Sequence, residues 1–233
     1  MRGQPVRVAA IDCGTNTIKL LVLDEDGADL EREMRIVRLG QDVDRTGRLA
    51  EEALERTFAA VEEYADLVAR HGGDRVRFCA TSATRDAANA ADFAAGVRAR
   101  LGVAPEVVSG DEEAALAWAG AKRGLPGLAG PVVVLDIGGG STELVLGSGP
   151  TPDAAHSMDI GSVRMTERHL RSDPPTAPEV AACVADVESA LDACPVDPGA
   201  AVTLVGVAGT VTTLAAGVIG FVFLKLGLLP PGG

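Results

Sequence analysis

The amino-acid sequence predicts a two-lobed α/β protein, in which each lobe has a mixed β-sheet and the lobes face each other across a cleft. Three observations lead to this prediction. Residues 6–23, "VRVAAIDCGTNTIKLLVL", and residues 132–147, "VVVLDIGGGSTELVLG", share an apolar run, one aspartate, a short polar turn and a second apolar run. The two copies align at a fixed offset that sets Asp12 against Asp136. The elements after each copy also follow in the same order, and such an internal repeat indicates a duplicated fold.

The first unit, residues 1–125, has the pattern β-β-β-α-β-α-β-α. Strands are predicted at 6–12, 17–24 and 31–39, the first two forming a hairpin. A helix over 49–70 follows from apolar residues at helical spacing and ends at a Gly-Gly pair. A strand at 76–81, a loop at "SATRD", a helix at 89–101 and a strand at 106–108 come next. "SGDEEAALAWAGAKRG" begins with a capping signal and continues as a helix.

The second unit, residues 131–233, follows a Pro/Gly-rich linker, "LPGLAGP", at 125–131. Strands at 132–137 and 142–146 form its hairpin, and "HSMDIG" is a third strand. Helices are predicted at 162–170 and 178–192, a strand at 201–208, a turn at "GT" and a helix starting at "VTTLAA". No counterpart of the strand at 106–108 or its following helix is found. The second lobe is therefore expected to be incomplete, with a divergent tail at 217–233 and an open sheet edge at 201–208.

Composition and charge narrow the function. The net charge of −12, with no basic stripe, argues against nucleic-acid binding. Four cysteines without CxxC spacing predict neither a disulfide scaffold nor a structural zinc site, and fit buried thiols in a reducing cytoplasm. Residues 200–224 carry no charge and are long enough to span a bilayer. Their glycines and threonines, and their agreement with the first unit, favour a strand, turn and helix over a membrane span.

The repeated hairpin suggests phosphate binding. A glycine-rich turn exposes successive backbone N–H groups, which with nearby hydroxyls form a concave anion site. The adjacent aspartate suits this site only if a divalent cation lies between it and the phosphate, as water-bound Mg²⁺ usually does. A tight hairpin without function is the alternative for one copy. The second copy and a third Gly-Thr turn, "GVAGTVTT", favour phosphate binding.

Several motifs together resemble the exopolyphosphatase/guanosine pentaphosphate phosphohydrolase family. They are "AAIDCGTNTIKLLV", "TSATRDAANA", "VVSGDEEAAL", "VVVLDIGGGSTELVLG", "MDIGSVRMTERHL" and "GVAGTVTTLAA", in order between about residues 6 and 216. The resemblance implies a duplicated actin-like, ribonuclease H-like fold. It also implies Mg²⁺-dependent hydrolysis of the terminal phosphate of inorganic polyphosphate or of guanosine pentaphosphate (pppGpp). Nothing in the sequence separates these two substrates.

The resemblance also implies roles for individual residues. Glu113 is the implied catalytic base and Arg85 the cationic clamp on the transferred phosphoryl group. The implied phosphate donors are Asn16, Thr17, Gly138, Gly139, Ser141 and Thr142. The implied metal site comprises Asp136, Glu143 and Asp12, the last having a matching or purely structural role.

Other interpretations of these residues stay open. Acidic residues at a helix start can simply favour the helix dipole, and Glu112 is one helical step away from the cleft-facing position. Arg85 could form a surface salt bridge with Asp86 or Asp92. Lys19 is interpreted as an edge-strand charge rather than a ligand.

At the level of the whole protein, a non-catalytic phosphate- or nucleotide-binding remnant is the alternative from another functional class. An actin-like ATPase or sugar kinase shares the loops but not "SGDEEA". A homodimer is also left open.

Overall fold

Two β-sheets form the framework of the protein. The computed structural model describes residues 6–73 and 75–225, with side chains up to residue 219. The first sheet has the strand order β3-β2-β1-β4-β5, and the second has the order β8-β7-β6-β9. The strands are β1 (Val8–Cys13), β2 (Thr17–Leu23), β3 (Asp29–Ile36), β4 (Arg75–Ala80), β5 (Glu106–Val107), β6 (Val132–Ile137), β7 (Thr142–Gly147), β8 (Ala154–Met158) and β9 (Thr203–Val207).

Eight α-helices connect and cover these strands in the described ranges. They are α1 (Val43–Thr46), α2 (Glu51–His71), α3 (Ser82–Arg85), α4 (Ala90–Leu101), α5 (Gly110–Gly124), α6 (Ser162–His169), α7 (Ala177–Asp192) and α8 (Ala208–Lys225). In each sheet the first three strands are antiparallel and the crossover strand is parallel to the first, which confirms the predicted mixed sheets.

The hairpin registers show that the two units repeat each other. In the first sheet Asp12 lies opposite Lys19, and in the second Asp136 lies opposite Glu143. The backbone N–H of the first turn glycine bonds the carbonyl three residues later in both, at 2.9 Å in the first loop and 3.0 Å in the second. The repeat that aligns the two aspartates therefore also aligns Lys19 with Glu143.

The core of the first lobe follows from strand alternation. Ala9, Ile11 and Cys13 of β1 are buried on one face, because successive side chains of a strand point to opposite sides. Helices α2 and α4 cover this face. The opposite face carries Asp12 and exposes apolar side chains, including Ile36, which is 63% exposed. This asymmetry leaves the polar groups of the first hairpin accessible.

The central strands of the second sheet, β6 and β7, are covered on both faces. Helix α5 packs Trp118 against Val132, Val134 and Val145 on one side, and α6 and α7 cover the other side. Helix α5 precedes the predicted linker in the sequence, yet it packs on the sheet that follows the linker. The boundary between the two units, placed at residues 125–131, stays a sequence prediction. In the structure, α5 packs on the second sheet.

Some local predictions were wrong. "SATRD" was expected to be a loop, but residues 82–85 form the helical turn α3. The "GT" turn instead lies in the first turn of α8, which begins at Ala208 in a left-handed conformation with φ of 66°. All four cysteines are free, but only Cys13 is buried and the other three are half-buried.

The end of the described chain leaves apolar surface exposed. Strand β9 is an edge strand, as predicted, and Leu204 on it is 65% exposed. No helix in the described ranges has both the length and the apolar character needed to cross a membrane. The part of the predicted tail at 226–233 lies outside the described residues.

Candidate active site

The glycine-rich loop of the second lobe is held along its carbonyl side. Three successive carbonyl groups accept hydrogen bonds from the start of α6: Gly138 from the Ser162 N–H at 3.0 Å, Gly139 from the Arg164 N–H at 3.0 Å, and Gly140 from Arg164 Nε at 2.7 Å. Because a trans peptide directs its C=O and the next N–H to opposite sides, the N–H groups of residues 139–141 point away from α6. Among the described residues, no acceptor is bonded to these three N–H groups. The loop therefore presents a row of free donors.

The loop of the first lobe is held in the same way. The carbonyl of Thr15 accepts from the Gly40 N–H at 2.8 Å, and that of Asn16 accepts from Val37 and Arg38 at 3.0 and 2.9 Å. The two hairpins thus resemble each other in their anchoring as well as in sequence.

The two loops touch across the lobes. Thr15 and Ser82 share a buried hydroxyl–hydroxyl hydrogen bond of 2.9 Å. A Cβ added to Gly140 would lie 2.5 Å from the Thr15 hydroxyl and 2.4 Å from that of Ser82, distances that a side chain cannot adopt. Glycine is therefore required where the second loop meets the first lobe.

Glu113 and Arg85 form a pair beside these loops. Arg85 Nη1 lies 3.3 Å from Glu113 Oε2 and donates to the Val108 carbonyl at 2.9 Å. The side chains are 25% and 20% exposed, so both are largely shielded from water but accessible. Burial raises the pKa of Glu113, an increase that Arg85 partly opposes and that Asp12 and Asp136 enhance.

Glu112 points elsewhere. Its carboxylate accepts a hydrogen bond of 2.8 Å from the exposed side chain of Arg77. Only one of the two adjacent glutamates therefore faces the loops, and it is Glu113. The start of α5 is capped by Ser109, whose hydroxyl accepts from the Glu112 N–H at 3.2 Å. This cap fixes the direction in which Glu113 projects.

Two further carboxylates come from the second hairpin. Glu143 is only 1% exposed, and its Oε1 accepts a 2.7 Å hydrogen bond from the Ser157 hydroxyl. Burial raises the pKa of Glu143 to about 7, with the nearby charges of Glu113 and Asp136 adding to the increase and Ser157 opposing it. Burial also raises the pKa of Asp136, an increase that Lys19 partly opposes. In the described part of the chain, neither side chain has a salt bridge.

The interpretation of Lys19 as an edge-strand charge was wrong, because its strand β2 lies between β3 and β1 in the first sheet. Its Nζ bonds Asp12 Oδ2 at 2.8 Å, and both side chains are about half exposed. The negative charges of Asp12, Asp136 and Glu113 raise its pKa against the opposing effect of burial, so all three carboxylates lie within electrostatic reach of it. The internal repeat could have revealed this residue, because it aligns Lys19 with Glu143.

The carboxylates fit a divalent cation only in part. Within the described ranges, no three His, Cys, Asp or Glu side chains are grouped so as to hold a metal ion. Asp12 is neutralised by Lys19, which leaves Asp136 and Glu143 without a cationic partner. Two carboxylates suit Mg²⁺, which keeps several waters and takes other ligands from phosphate oxygens.

Other predicted residues contribute less directly. The Thr142 hydroxyl is buried and donates to the Ile160 carbonyl at 2.6 Å, so its hydrogen is already used. Ser141 is buried beside Glu143. Asn16 lines a cavity of about 600 Å³ whose acidic lining residues are Asp42 and Glu167, not the predicted site carboxylates. Thr17 lies at the start of β2, where its carbonyl closes the first turn.

The fold and the site together define a class. Two lobes built on the same hairpin, with a cleft between them, form the duplicated actin-like α/β fold that the sequence predicted. Free loop amides, an arginine and several carboxylates meet where the lobes touch. These are the groups of a protein that handles phosphoanhydrides.

Comparison with known proteins identifies the family. The model of the Ppx/GppA phosphatase family matches residues 22–218, and the chain belongs to this family. Exopolyphosphatase 2 of Mycobacterium tuberculosis is 49% identical over 226 residues, which cover 90% of this chain and 70% of the relative.

Solved structures agree. The crystal structure of an exopolyphosphatase-like protein gives a TM-score of 0.89 at 49% identity, covering 94% of this chain and 70% of that one. A family member from Aquifex aeolicus gives a TM-score of 0.69 at 37% identity, covering 91% of this chain and 69% of that one. The chain thus spans about 70% of the length of these relatives.

Proposed function

We propose that the protein is an exopolyphosphatase that releases the terminal phosphate of inorganic polyphosphate. The observation that carries this proposal is the position of Glu113, which is held by Arg85 beside the two hairpin loops, the second of which has free N–H groups. In this reaction a water oxygen bonds to the terminal phosphorus as the phosphoanhydride bond breaks. The shortened chain leaves, and the proton of the water passes to Glu113.

The environment of Glu113 suits a general base. Burial raises its pKa, which makes the carboxylate a stronger proton acceptor. Both hydrogen bonds of Arg85 in the described structure come from Nη1, so Nε and Nη2 have no protein acceptor there. A guanidinium fork with free donors can bind two oxygens of one phosphoryl group.

The second glycine loop supplies further positive potential. The free N–H groups of residues 139–141 donate to phosphate oxygens and replace their water shell without reorganising. Asp136 and Glu143 would hold Mg²⁺, which would neutralise charge on the phosphate chain. These local contributions offset the repulsion of a polyanion by a chain with a net charge of −12.

The test measures phosphate release from polyphosphate and from pppGpp, with and without Mg²⁺. We expect Mg²⁺-dependent release from polyphosphate by the wild type and a loss of about 10²–10⁴-fold in Glu113→Gln. Glu112→Gln is the matched control, since it removes the neighbouring carboxylate, which is exposed and bonds Arg77. Equal losses in both variants would remove Glu113 from the mechanism.

The same assay separates the other functions. Faster release from pppGpp than from polyphosphate would replace the proposed substrate. Binding of polyphosphate without release of phosphate would identify a non-catalytic binding protein. Location in the cytoplasm and assembly into a homodimer stay predictions.

A further inference from the structure

Arg164 connects the two lobes through a network of hydrogen bonds. It lies in the first turn of α6 and is 12% exposed. Its Nε donates to the Gly140 carbonyl at 2.7 Å and its Nη1 to Asp44 Oδ1 at 2.8 Å, while its Nη2 bonds Asp86 Oδ2. One guanidinium therefore joins the glycine loop of the second lobe to two acidic residues of the first.

The first-lobe partners of Arg164 lie at informative places. Asp86 directly follows Arg85 and ends α3, whose last turn is closed by the Asp86 N–H bonding the Ser82 carbonyl at 2.9 Å. Ser82 in turn bonds Thr15 of the first glycine loop. A shift of Asp86 is thus transmitted to Arg85 and to the place where the loops meet.

The contact with Gly140 has a direct chemical consequence. The Gly140 carbonyl and the Ser141 N–H belong to one planar peptide group. By holding that carbonyl, Arg164 directs the N–H to the opposite side, where it is a free donor. The side chain thereby fixes the orientation of a donor that it does not itself touch.

We propose that Arg164 is a positioning residue that fixes the second glycine loop relative to Arg85, so that both phosphate-binding groups are aligned when the lobes are closed. This inference rests on the proposed function for its kinetic readout, but not for its structural one. A guanidinium is suited to this role because its planar fork reaches three acceptors in fixed directions, whereas a lysine ammonium cannot span them.

Arg168 provides a matched control. It lies on the same helix and bonds Asp44 with Nε at 2.9 Å and Nη2 at 2.7 Å, and Asp186 with Nη1 at 2.8 Å. It shares Asp44 with Arg164 and, like Arg164, joins the second lobe to the first. Among the described residues, however, it bonds neither the glycine loop nor Asp86. Asp186 keeps His169 as a partner when Arg168 is replaced.

The test compares Arg164→Gln, Arg164→Lys and Arg168→Gln. We expect kcat for phosphate release to fall about 100-fold in Arg164→Gln, as for a misaligned site, with a smaller change in KM. We expect kcat of Arg164→Lys to be nearly as low as that of Arg164→Gln. In Arg168→Gln, kcat should stay within a few-fold of the wild-type value. Equal kcat values in Arg164→Gln and Arg168→Gln would overturn the inference.

Hydrogen exchange gives an independent readout. In Arg164→Gln, amide exchange should accelerate in peptides covering residues 82–87 and 136–142, and in Arg168→Gln it should not. Unchanged exchange in both peptides would overturn the inference even if activity fell. If the wild type released no phosphate from polyphosphate, the proposed function would fail, whereas the exchange comparison would still decide the role of Arg164.

Discussion

Replacing Glu143 by glutamine should make the protein more stable at alkaline pH. Glu143 is 1% exposed and has no salt bridge within the described residues. Its ionised form therefore destabilises the folded state, because a buried charge without a partner loses its hydration. Glutamine has almost the same shape, and its amide oxygen can still accept the hydrogen bond that the Ser157 hydroxyl donates at 2.7 Å. The substitution therefore removes the charge and keeps the contact.

The size of the effect follows from the pKa of this carboxyl. Burial raises the pKa of Glu143 from an ordinary value of 4.5 to about 7. At about 1.4 kcal/mol per pKa unit, this difference amounts to about 3 kcal/mol. Between these two pH values the folded state holds a proton that the unfolded state has released, so stability falls as the pH rises through the window. Glu143→Gln does not undergo this loss.

Urea unfolding between pH 4.5 and 8.5, without divalent metal, measures the effect. The quantity compared is the unfolding free energy of Glu143→Gln minus that of the wild type. We expect this difference to be about 3 kcal/mol larger at pH 8 than at pH 4.5. Glu112→Gln, at an exposed position paired with Arg77, should show a small difference throughout. A Glu143→Gln advantage that did not vary with pH would refute the assignment of this titration to Glu143.

Three further predictions concern the same site. Mg²⁺ should raise the unfolding midpoint of the wild type at pH 8 more than that of Glu143→Gln, because a ligand that binds the folded state stabilises it; equal increases would place the metal elsewhere. Gly140→Ala should cost about 1–3 kcal/mol in urea unfolding, because its Cβ would meet two hydroxyl groups, whereas Gly120→Ala, with open space around it in α5, should be neutral or stabilising. Lys19→Met should shift the acidic limb of the pH profile for phosphate release to higher pH. The reason is that burial raises the pKa of Asp136 and the charge of Lys19 partly opposes this increase. An unmoved limb would show that Lys19 does not affect the carboxylate that sets this limb.

The sequence predicted those features that depend on local patterns. The repeated hairpin and the order of the following elements predicted both mixed sheets, because a hairpin pairs its strands antiparallel and a helical crossover returns the chain parallel. The helical step between adjacent residues predicted that only one of Glu112 and Glu113 could face the loops. Both are properties of neighbouring residues, which a sequence displays directly.

The features that the sequence did not predict depend on distant contacts. The acidic partners of Arg164 are separated from it by 78 and 120 residues, and no local pattern signals such pairs. Lys19 was interpreted as an edge charge because no local pattern shows that β2 lies between β3 and β1 in the sheet. The helical turn at residues 82–85 is too short to show a periodic pattern.

The path of α5 has a consequence for how the enzyme would be controlled. This helix starts beside Arg85 of the first lobe, yet Trp118 anchors it in the core beneath the second sheet. A movement of the second sheet that carried α5 with it would change the distance between Glu113 and Arg85. Under the mechanism proposed above, the general base and the arginine would then be aligned only while the two lobes are together.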